Sequence, residues 1–219
     1  MDRITDAFAW PLRDPRWVTK VVVIGLTLLI PVAGVINGIG WMLAALDRLR
    51  AGDETLPPAS LGYLGRGIRL FIVALVYGFA VLLLAGLAYA PAVLILAREG
   101  EGSVNALLVT LGVLFSVLSY AVATLGLLAL NFATPAIVLE TERGGIIGGL
   151  QAARVFSRSR AVVINTLIAG LMLIAAGFVG SLGAIVCGVG VVFTTAYSLA
   201  MQAWIIRSFE VGSGATAAA

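Results

Sequence analysis

The chain has no histidine and a single cysteine, Cys187. The commonest general base and the commonest metal ligand are therefore missing, which argues against a haem or chlorophyll carrier built on histidine ligation. One cysteine cannot form an intrachain disulfide, and in an apolar run it is expected to pack silently rather than react. Charge is scarce too: 11% of residues are charged, against roughly 25% in soluble domains. Residues 21–46, 70–97, 102–139 and 161–206 contain no Asp, Glu, Lys or Arg at all. A secretory-signal pattern is also lacking. The first twenty residues mix Arg3, Arg13, Arg16 and Lys20 with Asp2, Asp6 and Asp14, and no small-residue cleavage site follows a compact apolar core.

What is present is apolar sequence. Of 219 residues, 61% are hydrophobic, and a soluble core cannot absorb charge-free runs of that length. The expectation is an integral membrane protein with a single membrane domain over 1–211 and a flexible small-residue tail over 212–219. The 26 glycines suit close helix packing in a bilayer. The net charge of +3 follows from the positive-inside rule and implies no nucleic-acid partner.

Residues 1–20 carry Phe8, Trp10 and Trp17 among charges, as expected of a segment lying at the headgroups. Asp14-Pro15 reads as a helix start, with Asp14 capping. The run 21–46 has Pro31 near its middle, followed by Gly34, Gly38 and Gly40. One long crossing fits its length, and so does a re-entrant or broken hairpin. Charge favours the hairpin. Residues 1–20 hold four basic side chains, and Arg48, Arg50, Arg66 and Arg69 follow the run; a single crossing would leave one of these groups outside.

Four transmembrane helices are expected beyond it, over 70–97, 103–139, 161–181 and 184–206. The first is kinked or ended at Pro91, the second broken near Asn131 and Pro135, and the last two joined by a turn at Gly180-Ser181-Leu182-Gly183. Residues 140–160 read as a short interfacial amphipathic helix, with Ile146, Leu150, Ala153 and Phe156 beside Arg154 and Arg158. The fold class is thus all-α, a polytopic transmembrane helix bundle with a broken or re-entrant first hydrophobic segment. With both termini on the cytoplasmic side of the inner membrane, Arg98 is the one basic residue left outside.

The first third resembles the domain-of-unknown-function family 4013 of bacterial and archaeal membrane proteins. The resemblance rests on Phe8, Trp10 and Asp14-Pro15-Arg16-Trp17-Val18-Thr19-Lys20, on Pro31, on Gly40-Trp41 where the family usually has Gly-Tyr, and on Gly52, Leu56-Pro57 and Gly67. Pro135, Gly148-Gly149, Asn165 and Gln202 are looser matches. Where the family usually shows an aromatic and acidic patch after Leu-Pro, this chain has Pro58-Ala59-Ser60. The resemblance implies a multi-pass fold and lends no activity.

No catalytic, cofactor-binding or metal-binding motif is present, so an enzyme is not expected. Ser116, Tyr120 and Thr124 follow one helix face, with Asn131 beyond them; Thr194, Ser198 and Gln202 make a second stripe. Such an intramembrane polar stripe serves either as interhelical hydrogen bonding or as a substrate path. Gly34 with Gly38, Gly144 with Gly148 and Gly145 with Gly149 suit close packing within the subunit or an interface. Arg154, Arg158 and Arg160 are candidate contacts to anionic lipid headgroups. Asp53-Glu54 and Glu140/Glu142 are expected to be solvated loop charges. These features point to a structural or accessory membrane subunit that contacts anionic lipid, a membrane partner or a second copy of itself. The alternative is a permease-like or lipid-handling transporter of a neutral or amphipathic substrate.

Overall fold

The computed structural model describes residues 4–99, 105–185 and 189–214. Among them the secondary structure is entirely helical. Short 3₁₀ turns at Ile4–Phe8 and Trp10–Arg13 lead into α1 (Trp17–Leu28) and α2 (Ala33–Arg50). Next come α3 (Leu64–Glu99), α4 (Ala106–Leu150), α5 (Ala152–Ala161), α6 (Val163–Leu182) and α7 (Val189–Gly212). Three stretches are long and apolar enough to cross a membrane: Leu64–Ala97, Ala106–Leu150 and Val163–Ile185. Cys187 and the 98–104 connector's Gly100 and Gly102 lie outside the described residues.

The chain divides into two compact units, Ala74–Asn131 and the remainder, Met1–Val73 with Phe132–Ala219. In the larger unit α7 is the central helix. Ala196, Ala200 and Ala203 are fully buried along it, together with Met201, Ile205, Ile206 and Phe209. Small side chains at this spacing let neighbouring backbones approach, which is what drives helix association where lipid removes the hydrophobic incentive. A Cβ on Gly25 would strike the Val192 backbone, and one on Gly170 would strike the Phe132 ring.

Contacts with α7 fix the path of the first two helices. Gly25 meets Val192 and Trp17 lies edge-on to Tyr197, so α1 runs antiparallel to α7. Gly38 approaches Leu199 and Arg50 pairs with Glu210, so α2 runs parallel to it. The run 21–46 is therefore a helical hairpin. Its bend lies at 29–32, where Pro31 precedes Val32 at φ 62°. A β-branched residue there is strained, at a cost of about 1–3 kcal/mol. α1 has 12 residues, about 18 Å of helix, well short of a bilayer core of about 30 Å.

The smaller unit is the hairpin of α3 and α4. Ser119 Oγ donates to the Ala85 carbonyl at 2.8 Å. Gly126 faces Val81 and Gly112 faces Leu96, so the helices are antiparallel. Most of its leucines and valines are exposed.

Several expectations are corrected. α3 continues through Pro91 without ending there. α4 is not interrupted at Asn131 or Pro135; its non-helical residue is Gly145, at φ 63° and ψ −156°. Glycine tolerates that conformation, and the chain folds back so that Gly148 and Gly149 lie against Glu140 and Thr141. Residues 140–160 are accordingly not one helix: a second break at Gln151 separates α5. The turn placed at 180–183 is displaced, because α6 runs to Leu182 and a 3₁₀ turn occupies Gly183–Ile185. α1 begins at Trp17, later than Asp14-Pro15 suggested, although Asp14 Oδ1 does accept the Arg16 N–H at 2.8 Å.

Candidate functional site

The charged residues of the larger unit gather into three clusters. The first is a knot around Asp14, which is 3% exposed. Its Oδ2 accepts from Lys20 Nζ at 2.6 Å and from the Leu56 N–H at 2.9 Å. Burial pushes its pKa up, but the Lys20 ammonium and the backbone N–H groups of Arg16 and Leu56 more than offset this, leaving the carboxyl below its ordinary value. Lys20 also donates to the Leu56 carbonyl. The Trp41 indole N–H donates to the Pro57 carbonyl at 3.3 Å. Buried Asn37 donates to Ser60 O at 2.9 Å and accepts from the Tyr63 N–H at 3.2 Å. The connector 51–63 is thereby stitched along α2, bringing Gly67 against the Ile36 carbonyl. Beside the knot, Trp10 stacks on Trp204 at 5.9 Å, and the Arg13 guanidinium sits 5.6 Å from the Trp204 ring.

The second cluster joins α2, α3, α4 and α7. Glu210, 8% exposed, accepts from Arg50 Nε at 3.0 Å and from Arg207 Nη1 at 3.0 Å. Arg66 bridges Asp47 and Glu142, the latter at 2.8 Å. Arg50 also reaches Asp47 at 3.2 Å and Glu142 at 3.6 Å. Burial acts to raise the Asp47 carboxyl, but Arg66 and Arg50 prevail and hold it below its ordinary value.

The third cluster is α5. Val155 faces inward, and Arg158 Nη1 lies 2.8 Å from Glu140 Oε1. That contact is a charge pair without an aligned N–H direction, since Nη1 makes no hydrogen bond. Arg154 and Arg160 are exposed and have no ion pair among the described residues. Phe156 beside them is 67% exposed. A groove of about 490 Å³ runs past Arg154, Ser157, Arg158, Glu140 and Ser213. The candidate headgroup arginines thus divide into two free cations and one that is internally paired.

Of the carboxylates expected to be solvated loop charges, Asp53 and Glu54 are half-exposed on the connector after α2, while Glu140 and Glu142 are engaged. Glu140 and Glu142 belong to α4 and pair with arginines. Asp53 pairs with Arg48 at 3.2 Å, and Glu54 pairs with Arg13. Among the described residues no three His, Cys, Asp or Glu side chains come together as a metal site.

The two polar stripes differ. Thr194 Oγ1 donates to Gly180 O at 2.6 Å, Ser198 Oγ to Ala176 O at 2.7 Å, and Gln202 Nε2 to Ser198 Oγ at 3.3 Å, forming a ladder between α6 and α7. In the other, Ser116 Oγ bonds its own helix at Gly112 O, Tyr120 and Thr124 are exposed, and the buried Asn131 Oδ1 has no hydrogen-bond partner. These four converge on nothing.

Sequence reasoning missed the second cluster. The spacing of Asp47 with Arg50 and of Arg207 with Glu210, three apart on a helix, was its available signal. It also missed Ser119, although Ser116 of the first stripe stands three residues before it.

No curated protein and no solved structure matches the chain. A family model, described as a protein of unknown function (DUF4013), matches residues 23–189. The aromatic lead and Asp14–Lys20 precede that stretch, whereas Gly40-Trp41, Leu56-Pro57 and Gly67 fall inside it: Leu56 bonds Asp14, Trp41 bonds Pro57, and Gly67 packs on Ile36 and Gly40. The chain, whose described residues form helices without strands and include three helices suited to crossing a membrane, belongs to the DUF4013 family.

Proposed function

We propose that the protein is a non-enzymatic accessory subunit of the cytoplasmic membrane, anchored to anionic lipid along its charged end. The observation that carries this is the state of Arg154 and Arg160. Arg158 between them is matched by Glu140, while these two are exposed beside an exposed phenylalanine. Free guanidinium groups next to an unburied aromatic complement a headgroup layer that is negative outside and apolar beneath.

The topology follows the same logic. The α1–α2 hairpin dips into the bilayer and returns, since its tip exposes Leu26, Leu29, Ile30 and Val32 without any charge. α7 makes a fourth crossing beside α6. Its more polar composition is accommodated because α1, α2 and α6 surround it and its hydroxyls reach backbone carbonyls. Both termini then face the cytoplasm, with the charged clusters. The transport alternative has less support: the two cavities described lie at the charged end, and no stripe residue lines either.

The test is retention of anionic lipid by the R154Q/R160Q variant in mild detergent. Binding should weaken by about 1 kcal/mol per charge removed. Unchanged retention would reduce these arginines to a topological role, and a specific membrane protein co-purifying equally with both forms would move the accessory role to another surface.

A further inference from the structure

In the cluster that joins α2, α3, α4 and α7, Arg50, Arg66 and Arg207 are matched by Asp47, Glu142 and Glu210. Arg69, one turn along α3 from Arg66, stands outside that balance. It is exposed and has no ion pair among the described residues. Both arginines border a cavity of about 410 Å³ whose wall also includes Leu43, Leu70, Val138 and Glu142. Leu70 opens the charge-free run of α3, Val138 lies next to the end of that of α4, and Leu43 lies close to the end of the run 21–46. Three helices therefore change from apolar to charged at the level of this one cavity.

We infer that the cavity holds the phosphate of an anionic phospholipid. Arg69 is the contacting cation. Arg66, fixed by Asp47 and Glu142, supplies a preset positive wall. Glu142 offers little repulsion because Arg66 and Arg50 already neutralise it. The acyl chains begin at this level, where the charge-free runs of the helices start. The site is separate from α5, and it stands or falls independently of Arg154 and Arg160.

The full-length protein is embedded in nanodiscs of phosphatidylcholine with phosphatidylglycerol and released for native mass spectrometry. The wild type should retain phosphatidylglycerol in preference to phosphatidylcholine, and diacylglycerol, which has no phosphate, should not be retained. R69Q should hold phosphatidylglycerol about fivefold more weakly, the effect expected of one interfacial cation. R69K, which keeps the charge, should retain most of it, and R154Q/R160Q should leave this bound lipid in place. Retention by R69Q at wild-type strength would overturn the site. Displacement of the lipid by millimolar inorganic phosphate would assign the site to free phosphate and overturn the lipid as its source.

Discussion

In Ala74–Asn131 two helices meet through few contacts. Ser119 reaches Ala85, Gly112 and Gly126 admit Leu96 and Val81, and the leucines around them face outward. In the larger unit several glycines meet backbone, Gly25 at Val192, Gly40 at Tyr63, Gly67 at Ile36 and Gly183 at Gly190, while Gly38, Gly149 and Gly170 meet side chains. Many of its polar groups are matched as well, by carbonyls within the α6–α7 ladder and by opposite charge at the end of the bundle. Both units are apolar in sequence and both expose apolar side chains, yet the larger one also uses small residues to bury a core along α7. Hydropathy does not distinguish them; the placement of glycine and of matched polar atoms does.

The sharpest way to break this contrast is to add side chains to glycines in each unit. Gly67→Val would drive Cβ into the Ile36 carbonyl, a backbone atom that cannot swing aside. The expected cost is about 3 kcal/mol or more, read as a large fall in Tm in detergent or failure to purify. Gly86→Ala meets nothing within 4 Å, and a helical Gly→Ala change favours the helix by about 0.5–1 kcal/mol, so its Tm should be unchanged or slightly higher. Equal damage at both positions would erase the distinction.

Next in size is the ionic end. Glu210→Gln leaves Arg50 and Arg207 without their shared carboxylate. Because the arginines are partly exposed, the cost should be about 1–3 kcal/mol. Adding salt should weaken the wild type toward the variant, since partly exposed pairs are screened.

The Asp14 knot gives a pH dependence. Its carboxyl is held below the ordinary value of about 3.9, so the unfolded chain binds the proton more readily than the folded one. Its stabilisation is present above pH about 4 and is lost as pH falls through the depressed folded value. Melting curves should show wild type above Asp14→Asn at neutral pH and the two converging in acid. A constant gap at every pH would mean that Asp14 acts through shape alone.

The smallest effect separates the stripes. Ser198→Ala removes a buried bond to Ala176 and should cost about 0.6–2 kcal/mol. Ser116→Ala removes only a bond to its own helix and should be close to neutral.

Much of the architecture was legible in the charge-free runs, because a run of twenty or more uncharged residues leaves a helix few places to be. Pro31 marked the bend between α1 and α2 for the same reason that proline ends helices elsewhere. Pro91 and Pro135 carried the same signal and did not interrupt their helices. The true break in α4 is at Gly145, within a Gly144-Gly145 pair that the sequence reading assigns to packing and not to a turn. Glu140 and Glu142 were misread because their partners, Arg158, Arg66 and Arg50, come from elements distant in the chain; only Arg158 is nearby in sequence. The candidate arginines on α5 were visible from their number, but not that Arg158 is committed to Glu140 and leaves Arg154 and Arg160 free.

The most direct test of the hairpin and of the charged end sharing one side is cysteine accessibility in intact cells. Cys187 is first replaced by Ala, and single cysteines are placed at Gly100, Gly102, Ser60 and Ser157. A membrane-impermeant thiol reagent should label positions 100 and 102 from outside and reach 60 and 157 only after the membrane is opened. External labelling at position 60 would contradict a hairpin that returns to the side it entered from.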